Sequence, residues 1–156
     1  MGKEDEWHVK SNLKGIINNK VSVVDVTQGY LEANVAAQSI LTDTHFFGGT
    51  ILDLMQARSV NEITPILRKD FIVDGFQIVE AKAIGADAIL LIAACLSKEE
   101  LKNYGKLAED LGLDVLYEVH SKAELDKIDF SANPKGVYIL KLLMDGVSIE
   151  KKIIVY

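Results

Sequence analysis

Short, nearly continuous apolar runs alternate along this chain with longer stretches in which apolar residues return every third or fourth position. The first pattern suits strands buried on both faces, the second amphipathic helices. Ala36 to Leu41, the run through Ile66, Ala88 to Ala93 and Val115 to Val119 read as strands. Ser22 to Asn34 reads as a helix with Val23, Val26, Tyr30 and Leu31 near one face, and a second helix runs from Thr50 to about Ser59. A third follows Asp74, its buried face marked by Phe76, Val79 and Ala83, and a fourth follows Ser97 with Leu101, Tyr104, Ala108 and Leu111. Local punctuation supports these limits. Asp74-x-x-Gln77 and Ser97-x-x-Glu100 have the spacing of capping boxes, Thr50-x-x-Asp53 puts an acid in a first turn, and Ser121-x-x-Glu124 opens a short helix. Gly85 and Gly112 stand where a helix closes on a left-handed residue. Strands centred on Ile40, Ile66, Ile89 and Val115 are spaced by 26, 23 and 26 residues. That period predicts right-handed βαβ units and a parallel sheet, and a closed barrel and an open doubly wound sheet both satisfy it.

The two ends differ in texture. Glu6 to Lys10 reads as a short strand without an apolar lead-in, followed by a loop from Ser11 to Lys20 with Gly15 and Asn18-Asn19 as turn residues. After Asp129 comes the turn cluster Asn133-Pro134-Lys135-Gly136. Val137 to Leu143 then reads as a strand, Asp145-Gly146 is a two-residue hairpin signal, and Val147 to Tyr156 alternates around Lys151-Lys152. The expectation is an α/β unit over residues 1–130 and a C-terminal β-hairpin over 131–156.

Composition narrows the classes. The 156 residues are 49% apolar and 26% charged, which suits a packed core and argues against disorder. A net charge of −6 without a long basic run disfavours nucleic-acid binding. Cys95 is the only cysteine, so no internal disulfide or cysteine-rich zinc site is expected. The longest apolar run, Ala88 to Leu96, is too short to span a membrane, and the acidic start Met-Gly-Lys-Glu-Asp-Glu lacks a signal-peptide pattern. A cytoplasmic protein without membrane partners is the expectation.

Candidate chemistry gathers at Pro65-Ile-Leu-Arg-Lys-Asp-Phe71, where a buried strand emerges into charge and ends on an aromatic residue. Ligands of α/β proteins sit at the carboxyl ends of parallel strands, which singles out Lys69. The plain alternative is a lysine with its stem on apolar surface and its ammonium in water. His8, His45 and His120 lack metal-ligand spacing and read as loop or rim residues. Cys95 reads as a small buried residue at a strand end, with a thiol nucleophile as the distant alternative. Gly48-Gly49 precede a helix start, but Asp53 in its first turn argues against an anion there.

Ser39-Ile-Leu-Thr-Asp-Thr-His-Phe-Phe-Gly-Gly49, Pro65 to Ile72, Gly85-Ala-Asp-Ala-Ile-Leu-Leu-Ile92 and Leu111 to His120 together resemble indole-3-glycerol phosphate synthase, a (β/α)8-barrel lyase of tryptophan biosynthesis. The resemblance covers residues 6–128 and favours the barrel, here an incomplete one of about five βα units. It implies closure of an indole ring on a phosphorylated carboxyphenylamino-deoxyribulose, with loss of carbon dioxide and water. By resemblance Lys69 matches the family's general-acid lysine, and Glu118 and Glu6 match its glutamates on the fifth and first barrel strands. Phe47, Phe71 and Leu90 match pocket-lining residues, and Ser11 the serine of the first-strand loop. His8 occupies the position of a substrate-binding lysine. No cofactor or metal is implied. The bare geometry agrees, because alternate strands of a barrel contribute to the same layer of side chains, so Glu6, Lys69 and Glu118 can converge. A buried Lys–Glu pair that only satisfies itself is the alternative.

Departures qualify that expectation. His8 is shorter than a lysine, and a histidine is largely uncharged at pH 7. The family's N-terminal helical extension is absent, and nothing after Asp129 matches its strands six to eight or its phosphate-binding loop. Gly136-Val-Tyr-Ile-Leu-Lys-Leu and Lys151-Lys-Ile-Ile-Val155 are instead similar to the C-terminal sorting tails of some secreted bacterial proteins, with a generic edge hairpin as the alternative. Two functions follow as expectations. One is a lyase of this type that needs a complementing half-barrel. The other is a non-catalytic partial barrel that binds a phosphorylated aromatic ligand weakly or self-associates through its open edges.

Overall fold

In a computed structural model, the chain is described for residues 7–11, 15–128, 136–144 and 147–155, with side chains described for 21–128. The centre is a four-stranded parallel sheet in the order β3 (Gln38–Leu41), β4 (Ile66–Lys69), β5 (Ala88–Ile92) and β6 (Asp114–Glu118). Helices α2 (Ile51–Val60), α3 (Gly75–Ala83) and α4 (Lys98–Asp110) connect successive strands, with α1 (Val23–Glu32) before β3 and the short α5 (Lys122–Leu125) after β6. Strand order therefore follows chain order, as in a partial (β/α) barrel.

Each helix begins where its cap chemistry permits. The hydroxyl of Ser22 accepts from Asp25 N–H, and that of Ser121 from Glu124 N–H. Thr50/Asp53, Asp74/Gln77 and Ser97/Glu100 form reciprocal capping boxes that satisfy otherwise orphaned N–H groups at both positions. Gly85 and Gly112 hold positive φ at the ends of α3 and α4. Asp53 spends its carboxylate on Thr50 N–H, which confirms that this helix start is self-satisfied rather than open to an anion.

Packing follows the alternation of the strands. Ile66 on β4, Ile89 and Leu91 on β5 and Val115 and Tyr117 on β6 face the helices and share a core with Leu54, Ala57, Ile78, Ala81, Leu101 and Ala108. Each fully buried leucine or isoleucine contributes about 1.5–3 kcal/mol. The opposite face carries Leu67, Lys69, Leu90, Ile92, Leu116 and Glu118, and it is covered unevenly. Leu90 and Ile92 on the central strand are buried, whereas Leu116 on the outer strand is 48% exposed.

Three expectations are corrected. First, Gly15–Val21 is a strand (β2), not a loop, and it pairs antiparallel with β1 (Trp7–Ser11). The structure thus shows four parallel strands among the described residues, not five, because β1 finds its partner in an adjacent hairpin. Second, α3 turns Ile78 and Ala81 inward, leaving Phe76 at 69% exposure with Val79 and Ala83 outside. This helix carries two apolar stripes, and the one led by Ile78 docks on the sheet. Third, burial differs at single positions: Tyr30 is exposed on α1, where Thr27 takes the buried place, and Cys95 is exposed rather than buried.

The C-terminal hairpin forms as expected, with β7 (Gly136–Met144) antiparallel to β8 (Val147–Val155) and Met144 opposite Val147. Residues 145–146 of its turn and most of the turn cluster at 131–135 lie outside the described residues. No helix among the described residues is long and apolar enough to cross a membrane.

Candidate active site

A cavity of about 120 Å³ opens at the carboxyl ends of β4, β5 and β6, lined by Phe47, Lys69, Asp70, Phe71, Leu90, Ile92 and Glu118. Strand geometry delivers most of these side chains. Lys69 and Glu118 are the last residues of β4 and β6, and Leu90 and Ile92 are two apart on one face of β5. Parallel register sets Ile92 beside Glu118 and Leu41 beside Lys69.

The aromatic wall comes from two loops. Asp43 folds the first, its carboxylate accepting from Phe46 N–H at 2.6 Å and its carbonyl from Gly49 N–H at 3.0 Å. Gly48 turns with φ +73°, and Gly49 lies so close to the backbone of Leu41 that a Cβ has no room. Phe47 is thereby brought over Phe71, the two rings stacked at 6.1 Å and 14°, while Phe46 meets Phe71 edge-on at 5.4 Å.

Beneath Lys69 a buried polar network fixes the strand end. Arg68, 2% exposed, reaches Asp70 at 2.9 Å, Glu80 at 2.9 Å, the carbonyl of Gln77 at 2.8 Å and the hydroxyl of Thr42 at 3.1 Å. Asp70 also accepts from Thr42 Oγ1 at 2.6 Å and from Phe71 N–H at 2.8 Å. β3, β4 and α3 are thus pinned to the loop that carries Phe71.

Lys69 stands apart from this network. Among the described residues its ammonium takes part in no hydrogen bond or ion pair, and Nζ lies over the Phe47 ring, 6.0 Å from its centroid. Glu118 pairs not with Lys69 but with His120, whose Nε2 is 2.8 Å from Oε1. The two opposed charges line one cavity without neutralising each other, so the self-satisfied Lys–Glu pair does not form. An ammonium donor on one wall, a carboxylate on another and an aromatic floor between them can give a proton to one atom of a flat ligand and take one from another.

Five of the eight expected site residues, Lys69, Glu118, Phe47, Phe71 and Leu90, meet at this cavity. Glu6 lies outside the described residues. His8 and Ser11 belong to β1, and their side chains lie outside the described set. Asp70, Ile92, Phe46 and His120 were not assigned to the site from sequence. Ile92 stands two residues beyond Leu90 on β5, so alternation along the strand is the signal that finds it.

Residues 5–137 match the family model described as indole-3-glycerol phosphate synthase. The chain is 42% identical over 132 residues to an indole-3-glycerol phosphate synthase of Bacteroides thetaiotaomicron, a match covering 85% of this chain and 50% of that protein. Proteins of the same name from Variovorax paradoxus and Paracidovorax citrulli are 46% and 47% identical over 118 residues, 73% of this chain and 44% of each relative. The chain therefore spans about half the length of the curated relatives it matches.

Proposed function

This chain belongs to the indole-3-glycerol phosphate synthase family, and on that premise we propose that its cavity is the acid–base half of an indole-forming lyase site. The observation that carries the reading is the ammonium of Lys69, unpaired among the described residues and set above stacked aromatics in one cavity with Glu118. In the proposed reaction Lys69 donates a proton to the carbonyl oxygen of a carboxyphenylamino-deoxyribulose phosphate. The aromatic ring carbon bearing the carboxylate attacks the activated carbonyl carbon, and the carboxylate departs as carbon dioxide. Lys69, reprotonated from solvent, protonates the new hydroxyl, which leaves as water, while Glu118 accepts the proton lost in forming the indole double bond and returns it to solvent. Phe47, Phe71 and Leu90 hold the aromatic ring flat against the cavity floor. Glu6 is assigned the remaining carboxylate role, with Ser11 and His8 on the substrate from the first strand and its loop.

Complementation is part of this reading. The outer strands β3 and β6 each have one neighbour in the described sheet, and Leu116 on β6 presents exposed apolar surface on the cavity side. A second half-barrel laid against these edges pairs their free backbone groups and covers Leu116. The test is indole fluorescence from the purified chain with the carboxyphenylamino-deoxyribulose phosphate, alone and with the C-terminal half of a relative. Turnover in either preparation supports the lyase reading, and a flat trace in both refutes it.

The same open face favours one second reading, a non-catalytic partial barrel that self-associates or holds a phosphorylated aromatic ligand weakly. Sedimentation as a clean monomer, with no shift in melting temperature on adding the substrate, rules out both forms of it.

A further inference from the structure

Glu118 is held by a side chain that the proposed reaction does not use. It closes β6, and its backbone carbonyl accepts from Ala93 N–H at 2.9 Å, which anchors the strand end against the loop after β5. Lys127 ties the same loop down, donating to the carbonyls of Ala93 and Leu96 at 2.8 and 3.0 Å. Backbone placement alone leaves a glutamate three side-chain torsions to choose. His120 offers a contact that can select among them, its Nε2 lying 2.8 Å from Glu118 Oε1. Val119 between them is buried in the core, so Glu118 and His120 project to the same side of the chain.

The imidazole of His120 is itself fixed at its root. Its backbone N–H donates to Glu124 Oε2 at 2.9 Å, and the other carboxylate oxygen of Glu124 accepts from Ser121 Oγ at 3.1 Å. Ser121 in turn caps α5 through Glu124 N–H. A short relay runs from the first turn of α5, through His120, to the carboxylate at the cavity wall. An ionised carboxylate only accepts, so Nε2 carries the hydrogen and Oε1 is committed. No hydrogen bond or ion pair takes up Oε2 among the described residues.

We propose that His120 is a positioning residue for Glu118: it engages Oε1, selects one rotamer of the side chain, and presents Oε2 to the cavity facing Lys69. This rests on the reading of Glu118 as the site's carboxylate. The role is one of orientation, because the pair is about half exposed (53% and 38%) and contributes little to folding stability.

The test reads the Glu118 side chain directly, by three-bond couplings across its χ1 bond in the isotopically labelled full chain. Wild type is expected to occupy a single staggered well, His120→Ala to average over wells, and His120→Gln, which keeps a donor of similar reach, to return to one. Melting temperature should be unchanged in both variants. Averaged couplings in wild type, or couplings unaltered in His120→Ala, overturn the proposal. The kinetic arm uses the preparation that turns over. There His120→Ala lowers kcat about tenfold, the value of one hydrogen bond to a charged group, with KM unchanged and activity recovered in His120→Gln. An equal loss in both variants overturns the proposal. A single well that is lost in His120→Ala, with no turnover in any preparation, supports the placement of Glu118 and refutes the lyase reading instead.

Discussion

Replacing Arg68 with methionine tests whether the polar network beneath Lys69 carries the strand end. Methionine keeps most of the buried stem volume and removes the guanidinium. Lost with it are ion pairs to Asp70 and Glu80, both at 2.9 Å, and hydrogen bonds to Gln77 O and Thr42 Oγ1. Glu80, a quarter exposed, turns to water at small cost. Asp70, at 9% side-chain exposure, cannot, and it keeps only the Thr42 hydroxyl and Phe71 N–H. Removing one partner of a buried pair costs about 3–5 kcal/mol, and the two contacts left to Asp70 place this case at about 3 kcal/mol. For a chain of this length that corresponds to a fall of roughly 6–12 °C in melting temperature. Urea denaturation followed by far-ultraviolet circular dichroism should show a lower midpoint with an unchanged slope. Arg68→Met combined with Asp70→Asn should recover about 1–2 kcal/mol, because the stranded charge is gone. A loss below about 1 kcal/mol, or no recovery in the double variant, would show that the network is no more than a surface pair.

Other outcomes follow from single features of the structure. Gly49→Ala drives a methyl group into the backbone of Leu41 and should cost about 1–3 kcal/mol while displacing Phe47, read as a lower melting temperature together with shifted Phe71 ring resonances. Gln38 Oε1 is buried without a partner among the described residues, and its Nε2 makes only a long 3.4 Å bond to Thr27 O, so Gln38→Met should raise stability by up to about 1 kcal/mol, and a lower urea midpoint would refute this. The backbone N–H and hydroxyl of Ser97 hold the Glu100 carboxyl below its ordinary 4.5. A carboxylate depressed in the folded state stabilises fully above the unfolded value and loses that contribution as pH falls through the folded one. The difference in melting temperature between wild type and Glu100→Gln should therefore be greatest above pH 4.5 and shrink steadily below it.

Much of this architecture was legible because it is written locally. Capping depends on side chains three residues apart, so Thr50/Asp53, Asp74/Gln77 and Ser97/Glu100 were readable as helix starts before any fold was known. The period of the strands carried the parallel sheet, and the ordered motifs from Ser39 to His120 placed Lys69, Glu118 and the aromatic wall. What escaped depends on partners chosen in three dimensions. Gly15–Val21 holds Asn18, Asn19 and Lys20, poor strand formers by composition, and becomes a strand because β1 offers a ladder. α3 has apolar residues on two sides, so only the sheet decides that Ile78 and not Phe76 turns inward. Asp70 looked like one charge in a cluster, and only its contacts with Thr42 and Arg68 give it a place. His120 read as a rim residue because nothing in its spacing shows that its ring turns back onto Glu118.

The central claim is that Lys69 donates the proton on which indole formation depends. The most direct measurement compares kcat of wild type and Lys69→Ala, each complemented with the C-terminal half of a relative and followed by indole fluorescence, with folding checked by circular dichroism. Lys69 is exposed and makes no ion pair among the described residues, so its removal should leave stability nearly unchanged. Loss of a general acid predicts a fall in kcat of about 10²–10⁴-fold. Turnover that survives Lys69→Ala within a factor of about three, far short of that range, would contradict the account.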